Sequence, residues 1–269
     1  CQYDICLFIA LSDYAPYFYD NGPNGFSGNM ALLNLSEDTP KGTQIYVLNG
    51  TDPEGQPVKY GISFEPGSKE YFHVHPKSGV VTLIEELDRE AQDEIEVYVS
   101  ISDSLNKVVE KVSIFVMDAN DERPQFQNMP SIVDVLENTT SGSSICKIQA
   151  VDRDTGSGGS VTYFLQVIPH IVMNNNEGQK NSEQNPKFSI DHHSGVLRIK
   201  PGEALDYEKL RTHFITVVAK DGGGIYKGKL QVLSSSATLT INVIDTQDTP
   251  PVFVGTPYFG YVYEVSSPL

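Results

Sequence analysis

In 94-EIEVYVSIS-102, Ile95, Val97, Val99 and Ile101 alternate with polar residues, the period of a strand with one buried face. The run 238-TLTINVID-245 alternates in the same way at Leu239, Ile241 and Val243, and in 213-HFITVVA-219 Phe214 and Val218 share one side of a largely apolar stretch. No segment carries an apolar stripe of helical period. Val, Ile, Thr, Tyr and Phe recur in short runs between Gly- and Pro-bearing turns, at about seven strands per hundred-odd residues, which predicts an all-β fold of Greek-key sandwiches. The chain contains no Trp, so the Cys…Trp…Cys spacing of immunoglobulin domains is absent.

The pattern occurs twice. The segment 36-SEDTPKGTQIYVLNGTDPEG-55 aligns with 136-LENTTSGSSICKIQAVDRDTG-156, then 79-GVVTLIEELDREAQDEIEVYVSISD-103 with 195-GVLRIKPGEALDYEKLRTHFITVVAKD-221. Likewise 118-DANDERPQF-126 aligns with 245-DTQDTPPVF-253, and 261-YVYEVSSPL-269 reads as the opening of a third copy. The expected organisation is one repeat over 13–121, a second over 122–248 and the start of a third from 249 to 269. The polar stretch 168-IPHIVMNNNEGQKNSEQNPK-187 is an insertion in the second copy.

Two domains of ordinary size suit the 269 residues. The net charge of −16, from 35 acids and 19 bases, argues against nucleic acid and anionic membranes as partners. The short apolar run 5-ICLFIALS-12 makes residues 1–12 an expected signal-peptide remnant, which takes two of the three cysteines and leaves Cys146 as a small core residue outside any disulfide framework. Sequons at Asn34, Asn49 and Asn138 suit a secreted glycoprotein. A membrane anchor is expected outside this segment, because no later run reaches the length of a spanning helix.

The stretch 117-MDANDERPQF-126 sets Asp118, Asp121 and Glu122 side by side where a strand ends. The repeat alignment brings further acids to the same end of the sandwich: Glu37, Asp88 and Glu90 from the first copy, and Asp152, Asp154 and Asp221 from the second. Each close pair of like charges costs about 1 kcal/mol at 4 Å in water-like surroundings and more at lower dielectric. Calcium accepts about six to eight oxygen ligands, and three such ions against eight of these carboxylates, Glu122 left aside, leave a residual charge of about −2. The acids therefore read as a calcium site between two repeats.

Competing chemistries are weaker. Asp88 with Glu90, or Asp206 with Glu208, resembles a glycosidase pair, but the pair recurs at the equivalent place in both copies, which a single active site would not require. The histidines His73, His75, His192 and His193 fall short of a zinc ligand set and read as surface residues. There is no nucleophile elbow and no phosphate loop, so neither an enzyme nor a small-molecule substrate is expected.

An early Glu, LDRE or LDYE, DxND followed by PxF, DxD and AxD, in order and repeated, resemble the calcium motifs of cadherin extracellular repeats over residues 30–269. The resemblance implies a first linker formed by Glu37, Asp88, Glu90, Asp118, Asn120, Asp121, Asp152, Asp154 and Asp221, with the carbonyls of Ala119 and Glu122. Glu122 stands where the family has Asn, at a position that contributes only its backbone oxygen. For the second linker it implies Glu137, Asp206, Glu208, Asp245, Gln247 and Asp248. Asp52 and Glu54 match the DxD position and Asp103 the AxD position, a candidate tip site for one further ion. Also implied are a type I plasma-membrane protein facing the extracellular side, and calcium-dependent adhesion to cadherin repeats of the same or another cadherin. The likeness to a photoreceptor member of the family implies the alternative of a lateral organiser of outer-segment membranes. With no Trp to anchor an exchanged first strand, adhesion is expected to use an extended or side-to-side contact.

Overall fold

Every second residue of the strand Glu94–Ser102 is buried, with Ile95, Val97, Val99 and Ile101 all at 2% exposure or less. The strand lies between Lys107–Met117 and Lys59–Ser63 in a four-stranded sheet whose other edge, Asn34–Ser36, runs parallel to Lys107–Met117. A three-stranded antiparallel sheet in the order Gln44–Val47, Val80–Leu83, Phe72–Val74 faces it. Ile95, Val97, Val112 and Ile114 from the first sheet meet Phe72, Val74, Val81 and Leu83 from the second in one core. β-branched side chains fit this half-buried pleat, and each buried one contributes about 1.5–3 kcal/mol. Ile114→Ala would cost about 2–5 kcal/mol through the cavity it leaves.

The second repeat has the same plan. One sheet runs in the order Ile132–Leu136, Ser234–Ile244, Thr212–Lys220, Thr162–Gln166, and the other in the order Ser144–Lys147, Val196–Ile199, Phe188–Ile190. Both copies slip register at the matching place, between Gln44 and Tyr46 and between Ser144 and Cys146. In both a tyrosine hydroxyl latches one backbone position: Tyr60 to Gly50 and Tyr163 to Ala150.

The structure, a computed structural model, describes residues 13–19, 28–31, 33–166, 187–247, 250–251, 253–255, 257 and 259–261. The expected signal remnant, all but Lys187 of the insertion, and Asp248 lie outside the described residues. Leu239, Ile241 and Val243 face the core as their alternation predicts. Phe214 and Val218 do share a face, but it is the outer one: Phe214 is 72% exposed, while Ile215, Val217 and Ala219 point inward. An apolar run lacks the polar contrast that would tell the two faces apart. Cys146 is a free, half-buried thiol rather than a core residue, because it sits on an edge strand just past the register slip.

The chain divides into two compact units, Cys1–Gln127 with Gln149–Tyr163 and Val218–Ser236, and Asn128–Ile148 with Phe164–Val217 and Ala237–Leu269. The turns bearing Asp152, Asp154 and Asp221 thus belong to the same unit as the loop 118–122.

Candidate metal centre

The acids of the first unit are placed by strand ends. Asn34–Ser36 ends at Glu37, whose N–H donates to Met117 O at 2.9 Å, and Lys107–Met117 ends at Asp118. Glu37 is 6% exposed and clamps two loops, accepting the Arg89 N–H on Oε2 and the Ala119 N–H on Oε1, both at 2.7 Å. In the LDRE turn Asp88 Oδ1 accepts the Ala91 N–H at 2.9 Å, which leaves Asp88 at the exposed rim. In the next turn Asp152 Oδ1 accepts the Asp154 N–H at 3.0 Å, and Glu122 donates its N–H to Asp154 Oδ1 at 3.3 Å.

Asn120 joins the loops. It is 3% exposed; its Nδ2 donates to Asp221 Oδ2 at 2.9 Å, its N–H to Ile225 O at 3.0 Å, and its carbonyl accepts the Gln231 side-chain amide at 2.5 Å. Gly158 closes over it, where any Cβ would collide with Asn120 Oδ1. Asp221 is held by the N–H groups of Gly223 and Leu233 as well.

Three oxygens of this cluster, Asn120 Oδ1, Asp152 Oδ2 and Asp154 Oδ2, are buried without a hydrogen-bond partner. An unsatisfied buried acceptor costs about 1–3 kcal/mol. Ligand oxygens of Glu37, Glu90 and Asp118 lie within 4.8 Å of one another, as do those of Glu90, Asp121 and Asp154. Burial and the charge of Glu37 push Glu90 up to about 7, and the same two causes push Asp121 up to about 6. Asp154 is pushed up to about 7 by burial and by Asp152. Carboxylates so disfavoured as anions, beside orphaned oxygens, fit a hard divalent cation. Glu37, Glu90, Asp118, Asp121, Asn120, Asp152 and Asp154 are the residues that would hold it; Asp88 at the rim and Asp221 behind Asn120 lie outside the two tight groups. The Ala119 carbonyl accepts the Asp121 N–H at 2.9 Å, and its second lone pair remains for a ligand role.

Arg89 is the site residue that sequence reasoning missed. Its Nε donates to Asp118 Oδ1 at 2.5 Å, and its guanidinium also pairs with Glu90 and donates to Arg153 O at 2.6 Å. Thr155, also missed, donates its N–H and hydroxyl to Asp118 Oδ2 at 2.9 and 2.8 Å. Both lie inside quoted motifs, but nothing in those motifs shows which way their side chains turn.

The set in the second unit is built on the same clamp. Glu137 accepts the Tyr207 N–H at 2.9 Å and the Thr246 N–H at 2.7 Å, and these donors hold its pKa down. Asp206 pairs with Lys209 at 2.5 Å, and Glu208, Asp245 and Gln247 are exposed. Among the described residues these acids form no group of three like those of the first unit. At the remaining candidate positions, Asp52 is buried at 4% exposure, Glu54 is exposed and Asp103 is half-buried. Asn34 and Asn138 are exposed, whereas Asn49 is half-buried and its Nδ2 donates to Val47 O at 2.9 Å. His73 and His75 are exposed, and no histidine joins a three-ligand group among the described residues. No helix there is long and apolar enough to cross a membrane.

Residues 32–127 and 131–244 match the family described as Cadherin domain. The chain belongs to the cadherin family. It is 84% identical over 98% of its length to cadherin-related family member 1a of Danio rerio, and 55% identical over 97% to cadherin-related family member 1 of Homo sapiens. In each case it spans 29% of the relative's length. Stretches such as 151-VDRDTGSGGSVTYFLQ-166 and 217-VVAKDGGG-224 resemble this member of the family in particular. The crystal structure of human protocadherin-24 EC1-2 is 29% identical, with a TM-score of 0.71, covering 87% of this chain and 100% of that one. Cadherin repeats have an adhesive, non-enzymatic extracellular role and are generally calcium-binding.

Proposed function

We propose that this chain is a pair of cadherin repeats, 13–121 and 122–248, in a calcium-dependent adhesion protein, and that calcium held by the acids of the first unit stiffens the linker between them. The observation that carries the reading is the trio of buried, unpartnered oxygens on Asn120, Asp152 and Asp154 beside two three-carboxylate groups. The segment 118–122 is both chain connection and ligand source, so a cation there fixes the backbone through which one repeat continues into the next. The adhesive partners are cadherin repeats of the same or another cadherin, on the extracellular side of a plasma membrane. Asn34, Asn49 and Asn138 are the glycosylation positions.

The alternative, a lateral organiser of photoreceptor outer-segment membranes, draws support from the likeness to cadherin-related family member 1 and from the hairpin of Gly224–Tyr226 and Lys229–Gln231, where Ile225 and Leu230 are 56% and 76% exposed. Beads carrying the chain separate the readings. Calcium-dependent clumping supports adhesion; dispersed beads that still capture the soluble chain support the lateral reading. Equal behaviour with calcium and with chelator refutes the calcium requirement.

A further inference from the structure

The outer faces of the two four-stranded sheets carry different chemistry. The strands of the first sheet hold Lys59, Glu94, Glu96, Lys107, Glu110 and Lys111, and Lys111 Nζ pairs with Glu96 at 2.8 Å on the exposed side. The four strands of the matching sheet in the second repeat hold one acid, Asp134, and one lysine, Lys220. The repeat alignment sets Glu94 against Thr212, Glu96 against Phe214 and Lys111 against Thr238, so three charges of the first face are absent from the second.

Aromatic, aliphatic and hydroxyl groups stand in their place. Phe214 is 72% exposed and has Thr212 and Thr216 as its neighbours on the same side of the strand. On the edge strand Ile132 and Leu136, both exposed, lie in register with Thr240 and Ile244. Asp134 between them has its Oδ1 taken by the Asn242 amide at 3.1 Å. Charged groups are costly to strip of water, and the centres of protein interfaces are depleted of them and enriched in aromatic residues. The second face has that make-up, and the equivalent first face does not.

The same groups indicate what covers it. A two-fold contact sets a patch against itself, so each group on it must be able to pair with its own kind. Hydroxyls and amides both donate and accept, whereas carboxylates only accept and ammonium groups only donate. Thr216 and Thr238 already make such a pair, Oγ1 to Oγ1 at 3.1 Å across neighbouring strands. The net charge of −16 makes whole copies of the chain repel one another, and a face with a single, already bonded acid is where that repulsion is least.

We propose that the outer face of the second repeat's four-stranded sheet, centred on Phe214, is where two copies of this chain meet. The proposal rests on the cadherin reading for its kind of partner and on the face itself for its place. A contact of one sheet face falls at the small, weak end of specific interfaces, so it is measured at high chain concentration.

The test is sedimentation equilibrium of the whole chain in calcium, run beside bead clumping. The chain forms a dimer, and Phe214→Glu weakens it about tenfold or more, since the substitution enters the contact twice. Its melting temperature and calcium stoichiometry stay those of the unaltered chain, because Phe214 lies mostly in solvent. Glu96→Ala, at the matching place on the first face, leaves the dimer unchanged. Should Phe214→Glu fail to fold, Thr238→Lys, at an exposed position, sets an ammonium group against its own copy and is expected to act alike. A dimer that both substitutions leave intact overturns the proposal, whether or not the beads clump. A dimer that Phe214→Glu dissolves, on beads that stay dispersed, upholds the proposal and refutes the adhesive reading. A chain that stays monomeric throughout overturns the proposal, and if it dimerises only once residues 168–187 are exchanged for a short Gly-Ser loop, the face belongs to that insertion instead.

Discussion

In 87-LDRE-90 and 205-LDYE-208 a backbone N–H donates to a buried glutamate, Arg89 to Glu37 at 2.7 Å and Tyr207 to Glu137 at 2.9 Å. Each glutamate takes a second N–H from the loop after the last strand, Ala119 or Thr246, also at 2.7 Å. What surrounds the two clamps differs. Glu37 faces Glu90 and Asp118 and raises the pKa of both Glu90 and Asp121, while Glu137, which joins no three-acid group among the described residues, has its own pKa lowered by its donors. The clamp is therefore part of the fold in both places, and the accumulation of charge around it distinguishes the first set. In this chain the motif glutamate is partly a loop fastener, whatever it contributes to a metal.

The largest expected effect tests that distinction by removing the ion. Calcium at about 1,000 times its dissociation constant stabilises the native state by about 4 kcal/mol. At 2–4 °C per kcal/mol for a chain of this size, chelation lowers the melting temperature by about 10 °C. It also broadens the small-angle scattering profile as the linker loosens, and Asp121→Ala reproduces most of both changes. Melting and scattering curves that superimpose with and without chelator would remove the contrast between the two sets.

Next come the clamps themselves. Glu37→Ala and Glu137→Ala each strip two backbone N–H groups of their acceptor, a loss of about 2–4 kcal/mol. Measured by urea unfolding in chelator, Glu137→Ala is the more damaging of the two, because Glu37→Ala also relieves the repulsion on Glu90 and Asp121. In saturating calcium the order reverses, since Glu37 is then both clamp and ligand. An unchanged order in the two conditions means that the charge around Glu37 does not matter to stability.

A third test sorts the ions by position. Calorimetry is expected to resolve a tight class of about three ions at the first set and a weaker class at the second. Asp154→Ala weakens the tight class, and Asp248→Ala removes the weak one. If either substitution weakens both classes equally, the assignment to two places is wrong.

The sequence made the sandwich and most of the acids legible, because strand alternation and motif order are one-dimensional signals. Alternation alone puts Ile95, Val97, Val99 and Ile101 on the core face, and motif order alone brings Glu37, Glu90, Asp121 and Asp154 to one end of the sandwich. The outward turn of Phe214 could not be read in this way, since its neighbours are apolar on both sides of the strand. Nor could the pairing of Arg89 with Asp118 or of Asp206 with Lys209, which depend on rotamers and turn geometry rather than spacing.

The smallest effect probes Arg89, the cation the chain supplies for itself. Its side chain is 17% exposed and lies against Glu90 and Asp118, which are 8% and 21% exposed, so the pairings are more sheltered than ordinary surface ion pairs. Arg89→Tyr gives the first turn the residue that Tyr207 provides in the second. Without calcium it removes the only arginine paired with these acids among the described residues and destabilises the chain by about 1 kcal/mol. With calcium the sign changes: the guanidinium competes for the same carboxylates, and one positive charge fewer beside them is worth about 1 kcal/mol to an incoming cation. The same variant therefore melts lower in chelator and binds calcium about fivefold tighter, a combination that a mere packing defect does not produce. If Arg89→Tyr weakens calcium binding instead, the guanidinium holds the site in shape rather than competing for it, and the two turns are less alike than their shared clamp implies.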